Sequence, residues 1–96
     1  MRVDFTSITN HHERTVEAAV LAAAPRFPGI AESEDLLVDV ACVALNRLPP
    51  KYIRHEADFS FYLSDRERID SQRQVTEAVE FAFGFVQARA AMRARG

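Results

Sequence analysis

Apolar residues recur along this chain in two helical patterns, one alternating stretch and one long final pattern. In the first, Val16, Ala19, Val20 and Ala23 fall at helical spacing. The pattern predicts a helix from Asn10 to Ala24. Asn10 suits the N-cap, and Glu13 three residues later completes a capping-box arrangement. Pro25 closes the helix, because its ring and missing N–H stop the hydrogen-bond ladder. The second pattern predicts a helix from Glu34 to Leu48, with Ser33 as N-cap and two acids in the first turn. Leu37, Ala41, Ala44 and Leu48 form its apolar stripe, and Leu36, Val40 and Val43 widen it. The polar stripe left over is narrow: Asp35, Asp39, Cys42 and Asn46. A helix this apolar belongs at the centre of the fold. Pro49-Pro50 ends it.

From Tyr52 to Leu63 the pattern changes to period two. Ile53, His55, Ala57, Phe59, Phe61 and Leu63 share one side, which predicts an extended strand with one buried face. A lone strand needs a partner for its backbone groups. With no second convincing strand in the chain, the simplest partner is the same segment of a second subunit, paired antiparallel across a two-fold axis. The last helix is expected to begin between Ser64 and Ser71 and to run to about Arg93. Val75, Val79, Ala82, Val86 and Ala90 make one stripe; Ala78, Phe81, Phe85, Ala88 and Met92 make another, with Phe83 opposite Phe81 and Phe85. Such a helix has to be covered on more than one side, and a second subunit is the natural cover for the side the chain cannot reach. Gly84 inside it is read as a mark of close helix–helix approach. The fold expected is mainly α: three to four helices and one short extended segment, paired as a homodimer.

Composition narrows the function. The chain has 96 residues and no internal repeat or linker, so it is read as one domain, 1–96. The net charge of -2 argues against a general polyanion binder. No apolar run reaches the ~18–20 residues of a membrane span, and no hydrophobic segment follows Met1-Arg2-Val3-Asp4, so a cytoplasmic location without a signal peptide is expected. The single cysteine, Cys42, excludes an intrachain disulfide and a Cys-based zinc cluster; it reads as a small buried apolar residue. Eleven of the twelve basic residues are Arg, which a GC-rich genome explains; the one lysine is Lys51.

The candidate chemistry sits around the Pro-Pro turn. Residues 47–55 hold Arg47, Lys51, Arg54 and His55 with Tyr52 among them and no acid, while 32–39 hold Glu32, Glu34, Asp35 and Asp39 with no base. An ordinary solvated turn explains this charge pattern as well as a phosphate site does. Tyr52 fits either a stacking platform or a core edge. Asn46 reads as a capping residue at the helix end. Asp39 reads as support for Asn46, as a tie on the turn, or as a group that reads a base edge. Pro49-Pro50 sets the direction in which the turn leaves the helix. His11 and His12 point about 100° apart on a helix, a poor chelating geometry, so no metal and no cofactor is expected. No P-loop, GxGxxG or Ser/His/Asp grouping is present, so catalysis has no support and the protein is not expected to be an enzyme.

The stretch Asp39-Val-Ala-Cys-Val-Ala-Leu-Asn46-Arg-Leu-Pro-Pro-Lys51-Tyr52-Ile53 resembles the hallmark of the ComFB family: Asp-Ile/Val, a short Ala/Leu run, then Leu-Asn-x-Leu-Pro-Pro-x-Tyr. Asn10, Glu13 and Val16 resemble the family's N-terminal helix, and the resemblance covers roughly residues 8–90. Some members carry a zinc-holding cysteine cluster before the Asp; here residues 28–38 contain no cysteine, and no zinc is expected.

The resemblance implies a homodimer and a non-catalytic receptor for a cyclic dinucleotide, cyclic di-GMP or cyclic di-AMP, that signals to a protein partner. Such a ligand is two-fold and needs cations for its phosphates and planes for its purines. On that basis Arg47, Lys51, Tyr52 and Arg54 are the ligand candidates, and Asp39, Asn46, Pro49, Pro50, Asn10 and Glu13 the structural motif. The wealth of Arg, which matches guanine edges, favours cyclic di-GMP. The alternative is a ligand-free adaptor that binds a protein through its apolar helix faces. Nucleic-acid binding is disfavoured by the net charge.

Overall fold

The computed structural model describes residues 1–55 and 63–95. Among them are four α-helices and one two-stranded antiparallel sheet, in the order β1 (Thr9–Asn10), α1 (His12–Ala23), α2 (Pro28–Ala31), α3 (Glu34–Arg47), β2 (Tyr52–Ile53) and α4 (Asp65–Arg95). 3₁₀ turns at Phe5–Ser7 and Ala24–Arg26 precede β1 and follow α1. The mainly helical expectation holds.

α3 lies at the centre, as its apolar width requires: α4 packs along it and α1 packs on both. Val40 and Ala44 of α3 are fully buried. They meet Val16 and Val20 of α1 and the Val75–Val86 stripe of α4 in one hydrophobic cluster. Phe83 is the largest fully buried side chain, and its ring stacks on Phe27, with centroids 4.4 Å apart.

Two helix starts follow from their caps. Ser33 Oγ accepts the Leu36 N–H at 3.2 Å, the expected N-cap of α3. At α4, Ser64 Oγ accepts the Glu67 N–H at 3.1 Å and donates to the Glu67 carboxylate at 3.0 Å. This Ser-x-x-Glu pairing settles the start of α4 at the early end of its expected range. Ser64→Ala is expected to lower stability by about 1 kcal/mol in urea denaturation; no change would mean that packing alone fixes the helix start.

Several expectations are corrected. The Tyr52–Leu63 stretch does not need a second subunit to begin its pairing. β2 pairs within the chain with β1, Thr9 opposite Ile53 and Asn10 opposite Tyr52. Two residues before a helix are too short to show a period, which is why β1 was not expected. Arg54 and His55 follow β2 without continuing it, and positions 56–62 lie outside the described residues. The four-residue α2, opened by Pro28, fills what reads as plain Pro/Gly punctuation. Cys42 is exposed, because it belongs to the polar stripe of α3 that faces away from the core. Gly84 marks no close approach within the chain: a Cβ built there meets nothing within 4 Å.

Candidate functional site

α3 stops at Arg47 because Pro49-Pro50 cannot continue it, and the chain doubles back beneath the start of α1. Asn10 organises that junction. Its Oδ1 accepts the His12 N–H and the Lys51 N–H, both at 3.1 Å. The His11 N–H donates to the Lys51 carbonyl at 2.7 Å. The backbone of Lys51 is thus held on both sides by residues forty positions earlier, and the turn is fixed to α1.

This corrects the capping box. α1 begins at His12, and Asn10 serves the His12 N–H one residue before the position expected. Glu13 is exposed, and among the described residues it returns no hydrogen bond to Asn10. Asn10→Ala is expected to cost about 1–2 kcal/mol, since one carbonyl oxygen serves two backbone donors. Chemical denaturation reads the loss; a loss equal to that of a Glu13→Ala variant would restore the reciprocal box.

His12 is the residue the sequence did not single out as structural. Its side chain is buried at 4% exposure, and its ring hydrogen-bonds the Pro49 carbonyl. Nδ1 is buried without a hydrogen-bond partner among the described residues. Burial pushes its pKa below the ordinary imidazole value. The charges of His11 and Lys51 push the same way, and the Pro49 carbonyl pulls back. The unfolded chain takes up a proton near about 6.5, while the native state resists it. The stability supplied by neutral His12 is therefore complete above about pH 6.5 and lost as pH falls through the lowered native value. Thermal melts from about pH 8 to about pH 5 should show a falling midpoint, and His12→Asn should flatten that slope. An unchanged slope in the variant would contradict this role.

The ligand candidates do not converge on one cavity. Arg47 lies over the Phe81 ring, 3.7 Å from its centroid. It lines a groove of about 300 Å³ with Leu48, Pro49, Gln74, Glu77 and Ala78. Lys51, Tyr52 and Arg54 are exposed on the strip that contains β2, with Tyr52 at 65% exposure. The Tyr52 ring is therefore outside the core. A larger groove of about 450 Å³ between α1 and α4 is lined by His11, Thr15, Arg68, Ser71 and Gln72, among others, and by none of the four.

The structural candidates also separate. Pro49 and Pro50 form the exposed turn itself. Asn46 donates its Nδ2–H to the Cys42 carbonyl four residues earlier at 2.9 Å, a bond back onto α3 itself and not the expected cap of its last carbonyls. Asp39 is not at the turn. It sits two helical turns earlier on α3, in a groove of about 220 Å³ with Arg89 and Arg93 of α4.

The fold and this junction define a class: a small helical domain whose Pro-Pro turn is bolted by one asparagine onto its first helix. The chain matches the family described as late competence development protein ComFB over residues 9–90, and it belongs to that family. No curated protein matches it.

Proposed function

We propose that this protein is a homodimeric, non-catalytic receptor for a cyclic dinucleotide, with cyclic di-GMP the preferred ligand and cyclic di-AMP the second. It would act in the cytoplasm and pass the signal to a protein partner. One observation carries the proposal. The family's Leu-Pro-Pro-x-Tyr turn is held rigid by Asn10 and His11, and it presents Lys51, Tyr52 and Arg54 to solvent. A rigid turn loses little entropy on binding. Lys51 and Arg54 supply charge for a phosphate, and the Tyr52 ring supplies a plane for a purine. Arg47 stands at the other side of Pro49-Pro50, with its guanidinium already spread on an aromatic ring. A two-fold dimer offers the same groups to each half of a two-fold ligand.

Isothermal titration with each cyclic dinucleotide tests the reading. Binding is expected with one nucleotide per two chains, and with a raised melting temperature. The absence of both heat and thermal stabilisation with either nucleotide would overturn it.

A second reading has one observation in its favour. The exposed Phe81, Phe85 and Met92 of α4 form an apolar surface suited to a ligand-free adaptor. Failure of the titration, with a partner protein bound through this face, would favour it.

A further inference from the structure

The turn that carries the ligand candidates has few backbone groups by which it can be held. Pro49 and Pro50 lack an N–H, so residues 49–51 offer the Lys51 N–H and three carbonyls. Three consecutive residues leading into α1 grip them. Asn10 Oδ1 accepts the Lys51 N–H at 3.1 Å, and the His11 N–H donates to the Lys51 carbonyl at 2.7 Å. The His12 ring donates to the Pro49 carbonyl. Of these three grips, only the one through the His12 ring can gain a proton.

The surroundings of that ring accept one protonation state. His12 is buried at 4% exposure, and its Nδ1 has no hydrogen-bond partner among the described residues. The nitrogen that meets Pro49 is therefore Nε2, which carries the N–H, and Nδ1 holds a lone pair. A proton on Nδ1 makes a buried donor with no acceptor, on a buried cation. The charged groups that act on the ring are His11 from its own segment and Lys51 from the turn, and both repel that proton. Glu13, the next residue on α1, is exposed. Arg47 of α3 and Glu77 of α4 line the groove beside Pro49, and neither is among the groups that act on the ring.

We propose that His12 is a proton-operated latch on the ligand turn: neutral, it holds residues 49–51 in the binding geometry, and protonated, it lets go, so that nucleotide is released as the pH falls. The proposal rests on the receptor reading above and adds the regulation of its site. The imidazolium reaches water by leaving its place beneath the turn, which frees the Pro49 carbonyl. The helices meet through Val16, Val20, Val40, Ala44 and the buried stripe of α4, and these stay packed. Burial, with the two neighbouring cations, sets the transition below the ordinary histidine value of about 6.5, so the latch is closed at neutral pH and opens in acid. A ligand that needs the closed turn binds the neutral form alone. Its affinity then falls about tenfold for each pH unit below the transition.

Nuclear magnetic resonance on the nitrogen-labelled full chain tests the latch without ligand, the pH being lowered until His12 is one unit past its midpoint. The Lys51 amide should follow the His12 titration. Its exchange protection, corrected for the intrinsic effect of pH, should fall about tenfold over that last unit while Ala44 in the core keeps its own. Calorimetric titration with cyclic di-GMP over the same range reads the consequence. It is run in a His55→Gln background, because charge on that exposed histidine favours a phosphate and opposes the loss. Affinity should fall about tenfold over the last unit. His11→Gln should keep that loss. His12→Gln, which keeps a donor for Pro49 and cannot titrate, should give a flat profile. His12→Leu, which leaves the Pro49 carbonyl unheld, should expose the Lys51 amide at every pH. A Lys51 amide that ignores His12, a simultaneous loss at Lys51 and Ala44, or coincident wild-type and His12→Gln profiles overturns the proposal. A Lys51 amide that follows His12 in a chain that binds no nucleotide at any pH upholds the latch on the turn and counts against the receptor.

Discussion

Phe83→Ala should cost about 3–5 kcal/mol of folding stability, the largest loss expected from one substitution in this chain. Phe83 is fully buried and stacks on Phe27, 4.4 Å between centroids and 10° between planes. Through that pair α4 holds the segment joining α1 to α3. Removing the ring leaves a cavity that Val and Ala neighbours cannot fill, and it unstacks Phe27. A small domain carries about 5–15 kcal/mol in total, so the variant should be near the edge of folding at physiological temperature. Phe81, two residues earlier, is the natural control. Its ring is 44% exposed on the other side of the helix. Phe81→Ala should lower the urea midpoint far less, and equal losses at the two positions would contradict the assignment of the buried face.

The second large effect is on binding. Lys51→Ala with Tyr52→Ala should weaken cyclic dinucleotide affinity by roughly 10²–10⁴-fold. This takes about 1.5–3 kcal/mol for a charged hydrogen bond and about 1–3 kcal/mol for a stacked base. The fold should hardly notice. Both side chains are exposed, and the bonds that fix the turn reach the Lys51 backbone, which the substitution keeps. A melting temperature close to the wild type, together with lost binding heat, is the expected pair of results. Undiminished binding would remove these two residues from the site.

Much of the framework was legible because it is local. The Ser33 cap, the Pro-Pro stop and the apolar width of α3 each act within a few residues, and α3 runs as they require. The two apolar stripes of α4 follow from helical spacing alone, with Phe83 opposite Phe81 and Phe85; which of them is buried does not, and Ala78, grouped with the second stripe, is buried with the first while Phe81, Phe85, Ala88 and Met92 are exposed. What was not legible depends on residues far apart in the chain. Asn10 reads locally as a cap for α1, yet half of its work is to accept from Lys51, 41 residues on. β1 has no period of its own and exists because β2 returns beside it. His12 reads in the sequence only as one of two adjacent histidines poorly placed to chelate a metal; its burial beside Pro49 comes from the return of the chain. Asp39 and Asn46 share a stripe, but the packing of α4 gives them different neighbours.

The candidate site follows the same division. The charge of residues 47–55 is visible in the sequence. That Arg47 turns onto Phe81, while Lys51, Tyr52 and Arg54 stay open to solvent, depends on where α4 lies. The use of Arg47 as a ligand group carries a cost, because its cation–π contact with Phe81 must be given up or shared.

The receptor reading is tested most directly by calorimetric titration of the purified full chain with cyclic di-GMP and with cyclic di-AMP, its mass in solution being measured in parallel. The result expected is saturable heat at one nucleotide per two chains, stronger for cyclic di-GMP. A folded chain that gives no heat and no thermal stabilisation with either nucleotide would contradict it.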